Sequence, residues 1–152
     1  MPPCRGAILL ALLVALAVLA WAAAASVAVL GPVTARSQES ELLDIGEQYR
    51  RAIQSYVASS PGGIRQYPTR LEDLVNDNRF AQPRHHLRKL FRDPVSPHQP
   101  WGLIKVGEAI VGVRSQSTAK PFKTAGFSAE QVGFASARRY ADWQFNVGLS
   151  RP

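Results

Sequence analysis

Residues 7–30 read AILLALLVALAVLAWAAAASVAVL, from Ala7 to Leu30, without one charge and without Gly or Pro. At about 1.5 Å per residue, a helix of this length spans roughly 36 Å, against a bilayer core of about 30 Å. A lone apolar segment in lipid must satisfy its own backbone hydrogen bonds, so a helix is the expected form. Two fates are open for it. Arg5 ahead of the run and the small residues Ala23-Ala24-Ala25 suit a cleaved signal peptide. The apolar continuation Ser26-Val27-Ala28-Val29-Leu30, up to Gly31-Pro32, favours a retained single-pass anchor. For an anchor, Arg5 and the α-amino group favour a cytoplasmic N-terminus and a periplasmic C-terminal domain at a bacterial inner membrane.

Composition bounds the remainder. The chain has 152 residues, room for one globular domain beside the apolar run. Its net charge is +7, but Lys and Arg are spread along the chain with no long basic run. A solvated surface is therefore expected, with an acidic partner or lipid head group as the alternative, and no nucleic-acid role. Cys4 is the one cysteine, so no intrachain disulfide can form, and it precedes the apolar run, so it is not a lipobox cysteine.

Beyond Gly31-Pro32, expected to end or kink the first helix, a second helical pattern runs from Ser37 to Ser59. Leu42, Ile45, Tyr49, Ile53 and Tyr56 recur at spacings of three and four and share one face. Ser59-Ser60-Pro61-Gly62-Gly63 stops it. Thr69 with Glu72 reads as a capping box before a short helix carrying Leu71, Leu74 and Val75. A further short helix is expected at Arg84–Phe91, with Leu87, Leu90 and Phe91 inward. Asp93-Pro94 and Ser96 to Pro100 are turn chemistry.

The pattern then turns to strands. Trp101–Val106 and Ala109–Ser115 flank Gly107-Glu108, which suits a type II′ hairpin. Ser128 to Gln131 reads as a helical turn. Tyr140–Val147 alternates, with Trp143, Phe145 and Val147 on one face. The expected fold is α+β: a long N-terminal helix, transmembrane and then amphipathic, packed on a small antiparallel β-sheet. The expected organisation is a leader at 1–6, a transmembrane helix at 7–30, an amphipathic extension at 33–60 and a globular region at 61–152. Val111 is expected in the core with Trp101, Trp143 and Phe145.

No residue pattern points to catalysis. Ser, His and Asp all occur, without a nucleophile elbow or a Cys/His arrangement. His85, His86 and His98 are expected at the surface, because adjacent histidines on a helix diverge by roughly 100° and no acidic or cysteine partner stands at ligand spacing. Glu130 and Asp142 are too sparse for a calcium loop. No metal, cofactor or enzymatic activity is expected.

A short leader ending at Gly6, an apolar helix directly after it, an amphipathic extension and a small antiparallel sheet occur in that order. With them come Tyr67-Pro68-Thr69, Leu71-Glu72-Asp73-Leu74, and Asp93-Pro94 leading to Pro100-Trp101-Gly102. As an ordered set these features resemble the pseudopilins of type II secretion systems and the related type IV pilins. The resemblance implies cleavage by a prepilin peptidase after Gly6, so that Ala7 becomes the first residue. It implies function by subunit packing through the helix carrying Leu9, Leu10, Ala11, Val14 and Val18. It also implies other pseudopilins, inner-membrane secretion components and the lipid bilayer as partners. Ala7 stands where the family has Phe, and Ala11 where it has the glutamate that meets a neighbouring subunit's N-terminus. The absence of that carboxylate suggests a minor, initiating or tip-like subunit. The alternative function is a single-pass or secreted extracytoplasmic binding domain that forms no filament.

Overall fold

The computed structural model describes residues 5–148, with the side chains of Arg5, of residues 23–32 and of Val132 outside the description. The leader expected at 1–6 therefore falls largely outside the described residues, as does Cys4. The fold is α+β. Helix α1 spans Arg5–Ala58 and helix α2 spans Glu72–Val75. Strands β1 (Gly102–Val106), β2 (Ala109–Arg114) and β3 (Gln144–Asn146) form one antiparallel sheet in the order β1-β2-β3. Short 3₁₀ turns occupy Pro61–Gly63, Ala129–Ser136 and Tyr140–Asp142. By its contacts the chain divides into two compact units, Met1–Ser37 and Gln38–Pro152.

The first unit overturns a central expectation. No helix among the described residues is long and apolar enough to cross a membrane. The apolar stretch with described side chains runs from Gly6 to Ala22, about 25 Å of helix, short of the roughly 30 Å core. The expected span to Leu30 leaned on residues 23–30, whose side chains lie outside the description. The transmembrane helix, the single-pass inner-membrane placement and the periplasmic domain are withdrawn with it. The helical backbone continues through Gly31 and Pro32, where an end or a kink was expected, so the helix does not end there.

The second unit is built on the amphipathic stripe. Leu42, Ile45, Tyr49, Ile53 and Tyr56 are all buried, and they share one core with Leu74, Leu87, Trp101, Ile110, Val113, Phe134, Tyr140, Trp143 and Phe145. Gly46 lies on the same buried face. A Cβ at this position would stand 2.5 Å from three carbons of the Phe145 ring. Glycine here is a matter of space, because it lets the ring lie directly on the helix backbone. Phe145 is itself fixed, edge-on to Phe134 with centroids 5.1 Å apart.

The hairpin forms as its sequence dictates. Val106 pairs with Ala109, which leaves a two-residue loop. Gly107 has φ 61 and no non-glycine residue among the described residues has positive φ, so only the first loop position is left-handed, as type II′ requires. The register slips between Ile104 and Lys105, and Val111 becomes the extra residue of a bulge. Val111, expected in the core, is buried yet lies outside the core cluster. The bulge shifts the alternation that would have pointed it inward.

Two local expectations are corrected. The helix expected at Arg84–Phe91 does not form. Arg84 exchanges backbone hydrogen bonds with Asp77, and the His86 and Leu87 N–H groups both donate to the Leu74 carbonyl. These amides are taken by α2 and its exit, leaving no i→i−4 ladder. Leu87 is buried, whereas Leu90 is exposed. At α2 the accepting carboxylate is Asp73, not Glu72: it takes the Thr69 and Arg70 N–H groups at 3.3 and 3.0 Å.

Gly46→Ala sets two effects against each other. Helix propensity favours Ala by about 1 kcal/mol, and overpacking a filled site costs about 1–3 kcal/mol. With the Phe145 ring immobile, the variant is expected to be net destabilised in denaturant unfolding. A variant more stable than the parent would show that helix and ring part freely.

Candidate functional site

Two features carry functional potential, one in each unit. The first is the N-terminal part of α1. Gly6, Ala7 and Ala11 are exposed, as are Leu9 (62%), Leu10 (67%), Val14 (56%) and Val18 (58%). Ile8, Leu12, Leu13, Leu16, Leu19 and Trp21 are exposed as well. The residues expected from sequence to process and to pack thus share one helix, apolar on every side. An all-round apolar helix is normally buried, and exposed apolar surface on this scale marks an interaction site. Small side chains at Ala7, Ala11, Ala15 and Ala17 alternate with the large ones, which permits close approach of a second helix.

The second feature was not legible in the sequence. Asp77, 1% exposed, lies just after α2. Arg79 folds back on it, donating from Nε to Oδ1 at 2.8 Å and from Nη2 to Oδ2 at 2.7 Å. The guanidinium also lies over the Tyr56 ring, 3.5 Å from its centroid, and donates to the Tyr56 carbonyl and Ser60 Oγ. His86 completes the group. Its Nε2 is 3.2 Å from Asp77 Oδ2 and its Nδ1 is 2.8 Å from Ser55 Oγ, with the ring edge-on to Tyr56. The His86 side chain is only 4% exposed, against the surface position expected for it. His85 and His98 are exposed.

The charge-assisted bonds from Arg79, with a lesser one from His86, outweigh burial and hold the Asp77 carboxyl down at about 2. An ionised Asp77 accepts only, so His86 Nε2 must carry its proton. In the neutral imidazole Nδ1 is then the acceptor, and the Ser55 hydroxyl donates to it. Ser, His and Asp are thus in line, but Arg79 already neutralises the carboxylate that would drive the imidazole as a base. Among the described residues no group of three or more His, Cys, Asp and Glu is placed to hold a metal ion.

The Asp77 network makes stability depend on acid in a defined window. Its folded value, about 2, lies below the ordinary 3.8, so its contribution is complete above about pH 4 and is lost as pH falls through 2. That share is on the order of 2 kcal/mol. Asp77→Asn is expected to be less stable than the parent at pH 7 and to lose less on acidification. Parallel slopes for the two proteins between pH 4 and pH 2 would show that Asp77 is not the linked group. No protein-family model, curated protein or solved structure matches this chain.

Proposed function

We propose that the chain is a pseudopilin-like subunit of a type II secretion or type IV pilus-like assembly, acting by packing and not by catalysis. The observation that carries this reading is the apolar helix from Ile8 to Trp21, exposed on every side. Such a surface is costly in water, at about 25 cal/mol per Å² of apolar area, and like helices from other subunits would cover it. The ordered motifs add support: Gly6 directly before the apolar run, Tyr67-Pro68-Thr69 before α2, and Pro100-Trp101-Gly102 entering β1. The partners are other pseudopilins and a prepilin peptidase that cuts after Gly6. Ala11, without the family's carboxylate, suits a minor or tip-like subunit whose lateral contact is made on one side.

Crosslinking tests the packing. Val14→Cys and Val18→Cys, each in a Cys4→Ser background, are expected to trap complexes with co-expressed pseudopilins. Monomers alone would overturn the assembly reading, and homopolymer ladders would overturn the minor role. Peptidase processing has its own check: N-terminal sequencing of the mature protein is expected to begin at Ala7. A start at Met1, or near Ser26, would remove the pseudopilin-type processing.

A further inference from the structure

The loop between β2 and the turn at Ala129, residues 115–128, displays an aromatic ring on a fixed mount. Phe122 is 51% exposed, and among the described residues of the Gln38–Pro152 unit it is the one aromatic ring on the list of exposed large apolar side chains. The backbone beneath it is held from both sides. Glu39 of α1 accepts the Phe122 and Lys123 N–H groups at 2.6 and 2.9 Å, and Pro121 next to them is buried. Upstream, the Ala119 and Ser117 carbonyls accept the Tyr140 and Ala141 N–H groups at 3.1 and 3.0 Å. A phenyl ring in water is unfavourable, yet these bonds keep the loop from folding it inward. The surroundings are cationic. Lys120 and Lys123 flank the ring, and the loop contains no acidic residue. Neither lysine has a carboxylate within ion-pairing distance among the described residues. Lys123 Nζ lies over the Phe127 ring, 4.9 Å from its centroid. The carboxylates that touch this region are engaged already: Glu39 by the loop amides, and Asp142 by the Arg138 and Arg139 N–H groups and the Arg139 guanidinium.

We propose that Phe122 anchors a contact between the globular unit and a neighbouring subunit, entering an apolar pocket of that subunit rimmed by carboxylates. The inference rests on the assembly reading and deepens it, naming a contact point in addition to the apolar helix and the chemistry of the partner's surface. Interface energy concentrates in a few buried aromatic anchors ringed by weaker polar contacts, and a ring flanked by two free ammonium groups has that composition. The ammonium groups select for an acidic rim, because like charges brought together there would repel. The fixed mount favours a shaped pocket, since a loop already ordered loses little further freedom on binding. A fluid bilayer accepts a mobile ring as readily as a fixed one, so the rigidity points to a protein surface and away from lipid.

Site-specific photocrosslinking of the full chain tests the contact. Phe122→p-benzoylphenylalanine keeps an aromatic ring at the site, and irradiation with co-expressed pseudopilins is expected to give a covalent product with one of them. Ile64→p-benzoylphenylalanine, at an apolar position 70% exposed just after the Pro61–Gly63 turn, is the control and is expected to give about tenfold less. Lys120→Glu combined with Lys123→Glu should cut the product from position 122 about tenfold at low salt, and by less at about 0.5 M salt, with the circular dichroism spectrum unchanged. Val14→Cys complexes that form without any product from position 122 would overturn this contact and leave the assembly reading standing. Loss of both would overturn the two together. Products confined to phospholipid, a yield from position 122 no higher than that from Ile64, or a charge reversal without effect would each overturn the proposal.

Discussion

Buried backbone needs hydrogen-bond partners, and in the Gln38–Pro152 unit much of the chain lies outside regular structure. Buried carboxylates meet that constraint. Glu39, 5% exposed, accepts the Phe122 and Lys123 N–H groups and the Tyr140 hydroxyl. Asp93, fully buried, accepts the Val95 and Ser96 N–H groups and the Ser115 hydroxyl. Asp77 takes Arg79 and His86. Each carboxylate gathers donors that would otherwise be orphaned, and a buried anion in turn is tolerable only with such donors around it. Burial together with the Glu39 bond pushes the Tyr140 phenol well above its ordinary range, so it remains a donor at any physiological pH.

Aromatic rings fill the space these loops enclose. Trp143 stacks on Phe134 at 5.4 Å and receives the edges of Phe127 and Tyr140. Tyr49 both donates to the Phe91 carbonyl and accepts its N–H, while Trp101 Nε1 donates to the same carbonyl. One irregular residue, Phe91, is thereby tied to the helix and to the entry of the sheet. The polar tips of buried aromatics do here what a ladder does elsewhere.

What the sequence revealed depended on the range of the interaction. The stripe from Leu42 to Tyr56 and the turn at Gly107-Glu108 are local patterns with fixed periods, and both were readable. Gly46 was not, because the ring that demands it belongs to Phe145, almost a hundred positions away. His86 was misplaced for the same reason: Ser55 and Asp77 approach it only in the folded chain. The segment at 84–91 misled because Leu87, Leu90 and Phe91 have helical spacing, whereas its backbone amides are claimed by Leu74 and Asp77. The apolar run at 7–30 reads as a membrane span on composition alone, yet its described portion is too short to cross. Of the candidate sites, the apolar helix was evident from residue types, and the Ser55–His86–Asp77 chain was not, since its members come from separate stretches.

The sheet has consequences for how copies of this chain can meet. An open sheet of three strands leaves two edges, each a potential template for another strand. Here β3 has only three residues, too few to nucleate a continuous ladder. On the other side, β1 carries Lys105 at the point where the register slips, and a bulge coils the ribbon locally. Leu103 and Val106 are exposed on that strand, but a charged and twisted margin keeps them from lying flat against a second copy. The globular unit is thus insulated against amyloid-like growth through its sheet edges.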